Sequence, residues 1–275
     1  MPAQTVERNP FRQLLWNAHA TGLRLTPDEL CQALQRLRTA PFPYGPTARL
    51  VCVEQTHNFG GGSIWSLAEL TAVSEAARAE VLAVHMDGAR LLNAYAASGV
   101  APGDFAAVVD SVWIDFTKGL GAPIGAVLAG RKEFIAEARR YKHVFGGAMR
   151  QAGIAAAGCL HALDHHVERL VEDHENARRL ADGLAKIQGI AVKTPRPETN
   201  MVFFDPSGTG LSNDAFLLAL TRQGVRMGQV RGVIRAVTHL DVTRDDIETA
   251  IAAVTAIAQS PNLAADGRVG GGQGY

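Results

Sequence analysis

Asp87, Arg90 and Lys118 are the residues of this 275-residue chain whose types and spacing can do chemistry together. The first two lie in His-Met-Asp-Gly-Ala-Arg at 85–90, the third in Phe-Thr-Lys-Gly-Leu-Gly-Ala-Pro at 116–123. Each stretch follows a short apolar run of strand type, at 81–84 and at 112–114, and then turns through glycine. A carboxylate, a guanidinium and a lysine thus emerge from the ends of two strands, where open α/β sheets place ligand chemistry. That trio suits pyridoxal phosphate. A lysine forms the Schiff base, and an acid paired with the pyridinium nitrogen keeps the ring electron-poor enough to accept a carbanion's electrons. On spacing alone the same residues fit a structural ion pair equally well, with Arg90 as the partner of Asp87.

Other positions carry weaker signals. Lys118 has to be partly desolvated or set near cations to become a nucleophile, and Ile114, Phe116, Leu120 and Pro123 are expected to supply apolar surroundings. His85, two before Asp87, falls on the same strand face and reads as a hydrogen-bonded support. Arg235 is a lone charge in Val-Ile-Arg-Ala-Val, where a charge needs a reason. Glu54 and His57 stand at a strand end beside Gly60, Gly61 and Gly62, a turn that by itself is only a weak phosphate signal. Arg150 follows Gly-Gly-Ala-Met and by itself reads as a helix-terminus arginine in a salt bridge. His161 and His165 have metal-binding helical spacing and His166 adds a third imidazole, but no glutamate follows His161, so a helix face is expected there and no metal.

The elements that must position these groups are written in the periodicity. Thr26 opens a helix: Pro27 suits the first helical position, Glu29 completes a capping box, and Leu30, Leu34 and Leu37 make one stripe ending near Thr39. Pro41, Pro43, Gly45 and Pro46 force a loop, and 50–53 reads as a short buried strand with Cys52 in the core. Ser66 with Glu69 repeats the capping box and opens a helix to about Glu80. Strand, helix, strand over 50–86 predicts a right-handed crossover and parallel pairing. Helical stretches follow through Leu92 and Ala96 and over 104–109. Next come the strand that delivers Lys118 and an antiparallel strand at 124–128. Residues 132–141 read as a basic amphipathic helix and 148–163 as a small-residue helix at a domain or subunit boundary. Residues 167–187 form a long charged helix with Leu170, His174, Ala177 and Leu184 near one face. A strand at 200–204, a helix at 212–223, strands at 225–227 and 233–237, and a helix at 243–257 complete a small α/β domain.

Charge and composition narrow the partners. Lys plus Arg equals Asp plus Glu at 27 each, so no net basic field recruits nucleic acid or an anionic membrane, and a small-molecule substrate is expected. Cys31, Cys52 and Cys159 lie far apart without metal-ligand spacing, as reduced thiols in a cytosol do. No apolar run approaches a membrane span and the first residues hold no signal core, which predicts a cytoplasmic protein.

Read together, Gln-Thr-His-Asn at 55–58 with its following glycines, HMDGAR, TKGLGAP and Gly-Gly-Ala-Met-Arg-Gln at 146–151 resemble the L-threonine aldolase and β-eliminating lyase family in that order, over about residues 48–258. The resemblance implies an α/β fold of the aspartate-aminotransferase type, with an incomplete large domain and a small carboxyl-terminal domain. The segments are then 1–47, poorly matched with one helix; 48–150, cofactor-binding; 151–258, connecting helices and small domain; and 259–275, a disordered tail. It implies pyridoxal phosphate as cofactor and cleavage of L-threonine or a related β-hydroxy-α-amino acid to glycine and an aldehyde. Lys118 would carry the cofactor and Asp87 its ring nitrogen. Arg90 would serve the phenolate oxygen and Arg235 the substrate carboxylate. Arg150 would reach a phosphate across a subunit interface, making a homodimer or homotetramer. His57, with Glu54 beside it, falls within the site, and either His57 or a water takes the hydroxyl proton. Residues 1–47 resemble neither the phosphate turn nor the ring-stacking histidine of the family, so an amino-terminally truncated chain is expected. β-Elimination or racemisation on the same cofactor, and a non-catalytic relative without cofactor, are the alternatives.

Overall fold

The computed structural model describes residues 25–39 and 48–259. The expectations for the first residues, for the proline-rich loop and for the tail lie outside the described residues. Two compact units make up the chain, one ending at Val171 and the other beginning at Glu172.

In the first unit, α1 (Pro27–Arg38) and α2 (Leu67–Ala79) both begin at the predicted capping boxes. The Glu29 amide donates to Thr26 Oγ1 at 3.2 Å while the Thr26 amide donates to Glu29 Oε2 at 2.8 Å. Ser66 and Glu69 repeat the exchange at 3.2 and 2.9 Å. Each exchange satisfies amides that the first helical turn leaves unpaired. The stripes Leu30, Leu34, Leu37 and Leu70, Val73, Ala77 are buried in one core with Val51, Val53, Val84, Met86 and Val112.

Those last five come from a sheet of four strands in the order β1 (Leu50–Glu54), β2 (Ala83–Gly88), β3 (Ser111–Asp115) and β4 (Ala126–Gly130). The first three run parallel, with Glu54 opposite Asp87 and Asp87 opposite Trp113, and β4 returns antiparallel along β3. Between β2 and β3 lie α3 (Leu91–Ser98) and α4 (Pro102–Ala107), the latter two residues earlier than its periodicity suggests. Because strand side chains alternate, one face carries the valines and Met86, and the other carries Cys52, Glu54, His85, Asp87, Ser111 and Trp113.

This alternation corrects two expectations. Cys52 is exposed, not core, because it points with Glu54 to the polar face. The strand before Asp87 does not start at Val81: that residue has a φ of 59° and is 90% exposed in the turn after α2. His85 to Gly88 are therefore strand residues, and the apolar run misled because Val and Leu suit a strand whether or not the chain has reached one. The strand expected at 124–128 starts two residues later. α5 (Lys132–Val144) follows, and then α6 (Gly153–His165), which starts five residues later than expected, after a turn with Gly146 and Gln151 at positive φ.

α7 (Leu170–Leu184) leads into the second unit. There β5 (Ala191–Val192), β6 (Met201–Asp205), β7 (Gly228–Val230) and β8 (Val233–Val237) form an antiparallel sheet in the order β5-β6-β8-β7. α8 (Asn213–Arg222), capped by Ser212, and α9 (Arg244–Gln259) pack on it. Ala177, Leu180, Leu184, Phe204, Phe216, Ile234 and Val254 make this unit's core. The strand expected at 225–227 lies at Gly228–Val230, since the two-residue hairpin Arg231-Gly232, at φ 50° and 80°, sets the register from Val230 opposite Val233.

Candidate active site

The ends of β1 and β2 are tied by backbone bonds. The Gln55 amide donates to the Asp87 carbonyl at 2.8 Å, and the Arg90 amide donates to the Gln55 carbonyl at 3.2 Å. The Gln55 side chain is buried and clamps the far end of its loop, donating to the Trp65 carbonyl at 3.1 Å and accepting from the Trp65 amide at 3.0 Å. Inside that clamp the His57 amide donates to Ser63 and the Gly62 amide to His57, at 2.9 and 3.0 Å. Gly61 and Gly62 take φ of 77° and 75°, so the glycines make the turn itself. His57 is buried, with Nε2 4.0 Å from Glu54 Oε2. The Thr56 and Ser63 hydroxyls in the same loop are buried without a hydrogen-bond partner among the described residues.

Asp87 is half-buried on the polar face, its Oδ1 accepting from the Ala89 amide at 3.0 Å. Its charge is felt on both sides. Burial pushes the Glu54 carboxyl above the usual range; the Asn58 amide and Arg90 oppose this, while Asp87 adds to it. Burial pushes His85 below its ordinary value and Asp87 offsets part of that, a balance that favours the neutral imidazole, with Nδ1 2.8 Å from Ser111 Oγ. Gly88 fixes the strand end: a Cβ there would stand 2.5 Å from the Trp113 carbonyl oxygen.

Lys118 sits in a turn closed by its own backbone. The Phe116 amide donates to Gly125, the Ala122 amide to Phe116 and the Gly121 amide to Lys118, at 3.0, 2.8 and 3.0 Å. Phe116 and Leu120 anchor the turn from beneath in a core with Ala122, Ala162 and Leu170. His166 Nδ1 donates to the Leu120 carbonyl at 2.6 Å. The lysine side chain itself is 44% exposed, and its nearest charge is a carboxylate: Nζ is 3.3 Å from Asp115 Oδ2. The apolar neighbours expected to desolvate it, Phe116 and Leu120, are committed to the core instead. Burial raises the Asp115 carboxyl, but bonds from Thr117 Oγ1 and N, with the Lys118 ammonium, outweigh that and hold it below the usual range.

One contact joins the two motif stretches. A Cβ at Gly119 would stand 2.8 Å from Asn93 Oδ1 and 3.0 Å from Leu170 Cδ2, so the turn holding Lys118 lies against α3, which starts directly after Arg90. Asp87, Arg90, Glu54, His57 and Lys118 thus belong to adjacent ends of β1, β2 and β3. Arg150 is exposed in the turn before α6. Arg235 belongs to the second unit, half-buried on β8 opposite Phe203 and Gly228, on the face away from Ile234 and Ala236. The rings of His165 and His166 lie 4.4 and 5.3 Å from that of His161.

Asn93, Ser111 and Asp115 were not singled out by sequence reasoning, and Gln55 entered only as part of the Gln-Thr-His-Asn motif. For Asp115 a signal existed: an aspartate two residues before Thr117 is spaced to accept from the backbone of the turn. For Asn93 none did, since its use depends on a glycine 26 positions later having no side chain.

Residues 16–207 match the family model described as β-eliminating lyase. The low-specificity L-threonine aldolase 1 of Arabidopsis thaliana is 38% identical over 206 residues, 74% of this chain and 57% of the relative. The low specificity L-threonine aldolase of Escherichia coli K12 is 36% identical, over 72% and 57%. The chain therefore spans a little over half the length of the curated relatives it matches. Among solved structures, the threonine aldolase of Leishmania major superposes with a TM-score of 0.68 at 19% identity, over 86% of this chain and 68% of that one. The 4-hydroxyphenylacetaldehyde synthase of Rhodiola rosea gives 0.65 at 15%, over 88% and 55%. These superpositions show the fold, the α/β fold of the aspartate-aminotransferase type. Two differently named activities on it mean that the reaction must be argued from the site.

Proposed function

Because the chain belongs to the β-eliminating lyase family, we propose that it is a pyridoxal-phosphate-dependent lyase that cleaves L-threonine or a related β-hydroxy-α-amino acid to glycine and an aldehyde. The observation that carries this reading is the placement of Asp87, Arg90 and Lys118 at adjacent strand ends, joined through the Asn93 to Gly119 contact.

The residues fit the cofactor. Asp87 is a half-buried carboxylate, a charge that is costly without a cationic partner, and the buried Thr56 and Ser63 hydroxyls nearby leave hydrogen-bonding capacity on the same loop. When bound, pyridoxal phosphate supplies an electron sink for the pair left on Cα. Asp87 would hold a proton at the ring nitrogen, Arg90 would donate to the phenolate oxygen, and Lys118 would carry the cofactor through Nζ. Arg235 would grip the substrate carboxylate as a bidentate pair and so orient the substrate. His57 accepts the β-hydroxyl proton as the Cα–Cβ bond breaks, with Glu54 beside its Nε2.

Product analysis tests the reaction. Incubated with pyridoxal phosphate and L-threonine, the chain should release glycine and acetaldehyde in equal amounts. Ammonia with 2-oxobutanoate would move the assignment to β-elimination, and no product from a cofactor-bound sample would overturn a lyase reading.

The surface supports self-association. Phe145 and Ile154 are 82% and 86% exposed, and Val144, Met149 and Leu160, close to them in sequence, are exposed as well, large apolar side chains of the kind that association covers. We assign this face to a homodimer or homotetramer that places Arg150 toward a neighbouring protomer's phosphate. Light scattering at micromolar concentration should give at least twice the chain mass; a monomeric mass would remove both the interface and that role for Arg150. None of the described helices is long and apolar enough to cross a membrane. With the three cysteines free, the cytoplasm is the proposed compartment.

A further inference from the structure

Resting on the assignment of Lys118 as the cofactor-bearing lysine, we propose that Asp115 is a positioning residue that docks the free Lys118 ammonium and keeps Nζ over the end of β3. The geometry is that of a built acceptor. Asp115 lies at the last position of β3, one tenth exposed, and its two oxygens have separate duties. Oδ1 accepts from the Thr117 amide at 2.7 Å and from the Thr117 hydroxyl at 2.6 Å, which locks the carboxylate to the turn. Oδ2 is left facing Lys118 Nζ at 3.3 Å.

A carboxylate held this way stays ionised, and it sets a fixed negative charge beside a flexible side chain. It confines a side chain that otherwise samples many rotamers, the part of binding a bare lysine lacks. The arrangement is opposite to the cationic surroundings that would activate a lysine. Asp115 therefore acts on Lys118 only while Nζ is not bonded to another group. Ordinary surface pairing does not describe it, because one partner is buried and hydrogen-bonded twice by the residue between the two.

The test needs no cofactor, so its failure and the failure of the cofactor assignment are distinguishable. The chain without added pyridoxal phosphate is treated at neutral pH with limiting acetic anhydride, and acetylation of Lys118 is measured by mass spectrometry against Lys132 and Lys142 as internal references. In Asp115→Asn, Lys118 should acetylate about three- to fivefold faster than in the wild type, the range expected when a partly exposed ion pair is removed. Asp115→Glu, which restores the charge, should return most of the protection, whereas a purely structural role would leave Glu no better than Asn. Should Asp115→Asn fold poorly, the reciprocal measurement stands: in Lys118→Met the Asp115 carboxyl, followed by carbon NMR, should titrate at higher pH than in the wild type. Equal Lys118 acetylation in a folded Asp115→Asn, or an unmoved Asp115 titration in Lys118→Met, would overturn the proposal.

Discussion

Replacing Lys118 by alanine should abolish threonine cleavage, with a fall of at least about a thousandfold in kcat, while the chain stays folded. The size follows from the role assigned. A nucleophilic amine that both carries the cofactor and is regenerated each cycle has no substitute among its neighbours, because the other groups at the strand ends are carboxylates, arginines and imidazoles. The survival of the fold follows from the position. The side chain is 44% exposed, and its ion partner Asp115, although it loses its cation, keeps two hydrogen bonds from Thr117 on its other oxygen, so alanine costs little stability. The backbone bonds that close the turn run through Phe116, Gly121, Ala122 and Gly125 and do not involve the lysine side chain. Circular dichroism should be that of the wild type, the thermal midpoint should fall only slightly with the lost ion pair, and glycine release should disappear. A variant that retains more than a tenth of the activity would remove Lys118 from the mechanism.

Asp87→Asn should cost about 10²- to 10³-fold in kcat, the loss that follows when a single preorganised electrostatic contact to a developing charge is removed. Asparagine keeps the shape and the Oδ1 acceptor for the Ala89 amide, so the turn into Arg90 is preserved. What it would lose, in the proposed role, is the negative charge that would keep the ring nitrogen protonated and the ring an effective electron sink. Nearby groups should report the missing charge as well. His85 is pushed down by burial and held up in part by Asp87, so in Asp87→Asn its titration should move to lower pH. A drop in kcat with cofactor still bound, together with that His85 shift by NMR, marks an electrostatic role. A drop caused only by loss of cofactor would mark Asp87 as an anchor instead.

Much of this was legible in the chain because local rules and the tertiary fold agree. The capping boxes at Thr26 and Ser66 start their helices where the pattern says, since a short-range side-chain exchange fixes a helix start regardless of what it packs on. Parallel pairing of β1 with β2 follows from a helix between two strands. Facing was harder. Leu50-Val-Cys-Val reads as a run buried on both sides, yet Cys52 turns toward the polar face, because period-two alternation is invisible when both alternating sets are apolar. Val81 looked like strand for the same compositional reason and is instead a left-handed turn residue.

At the site, the strand-end motifs gave Asp87, Arg90 and Lys118, and the fold brings their segments together through Asn93 and Gly119. The surroundings of Lys118 were misread. Apolar neighbours in sequence suggest desolvation, but in a tight turn alternate residues diverge: Phe116 and Leu120 go down into the core while Lys118 stays above with Asp115. The partner of a side chain in a turn is decided by turn geometry, which the residue types around it do not state.

The central claim, that Lys118 carries the cofactor, is tested most directly by reducing the cofactor-treated protein with sodium borohydride and locating the modified residue by mass spectrometry. The site described here predicts a pyridoxyl-phosphate mass on the peptide containing Lys118, and its absence from the same peptide in Lys118→Ala. A stable label on a different lysine, or no label on the wild type at saturating cofactor, would contradict it.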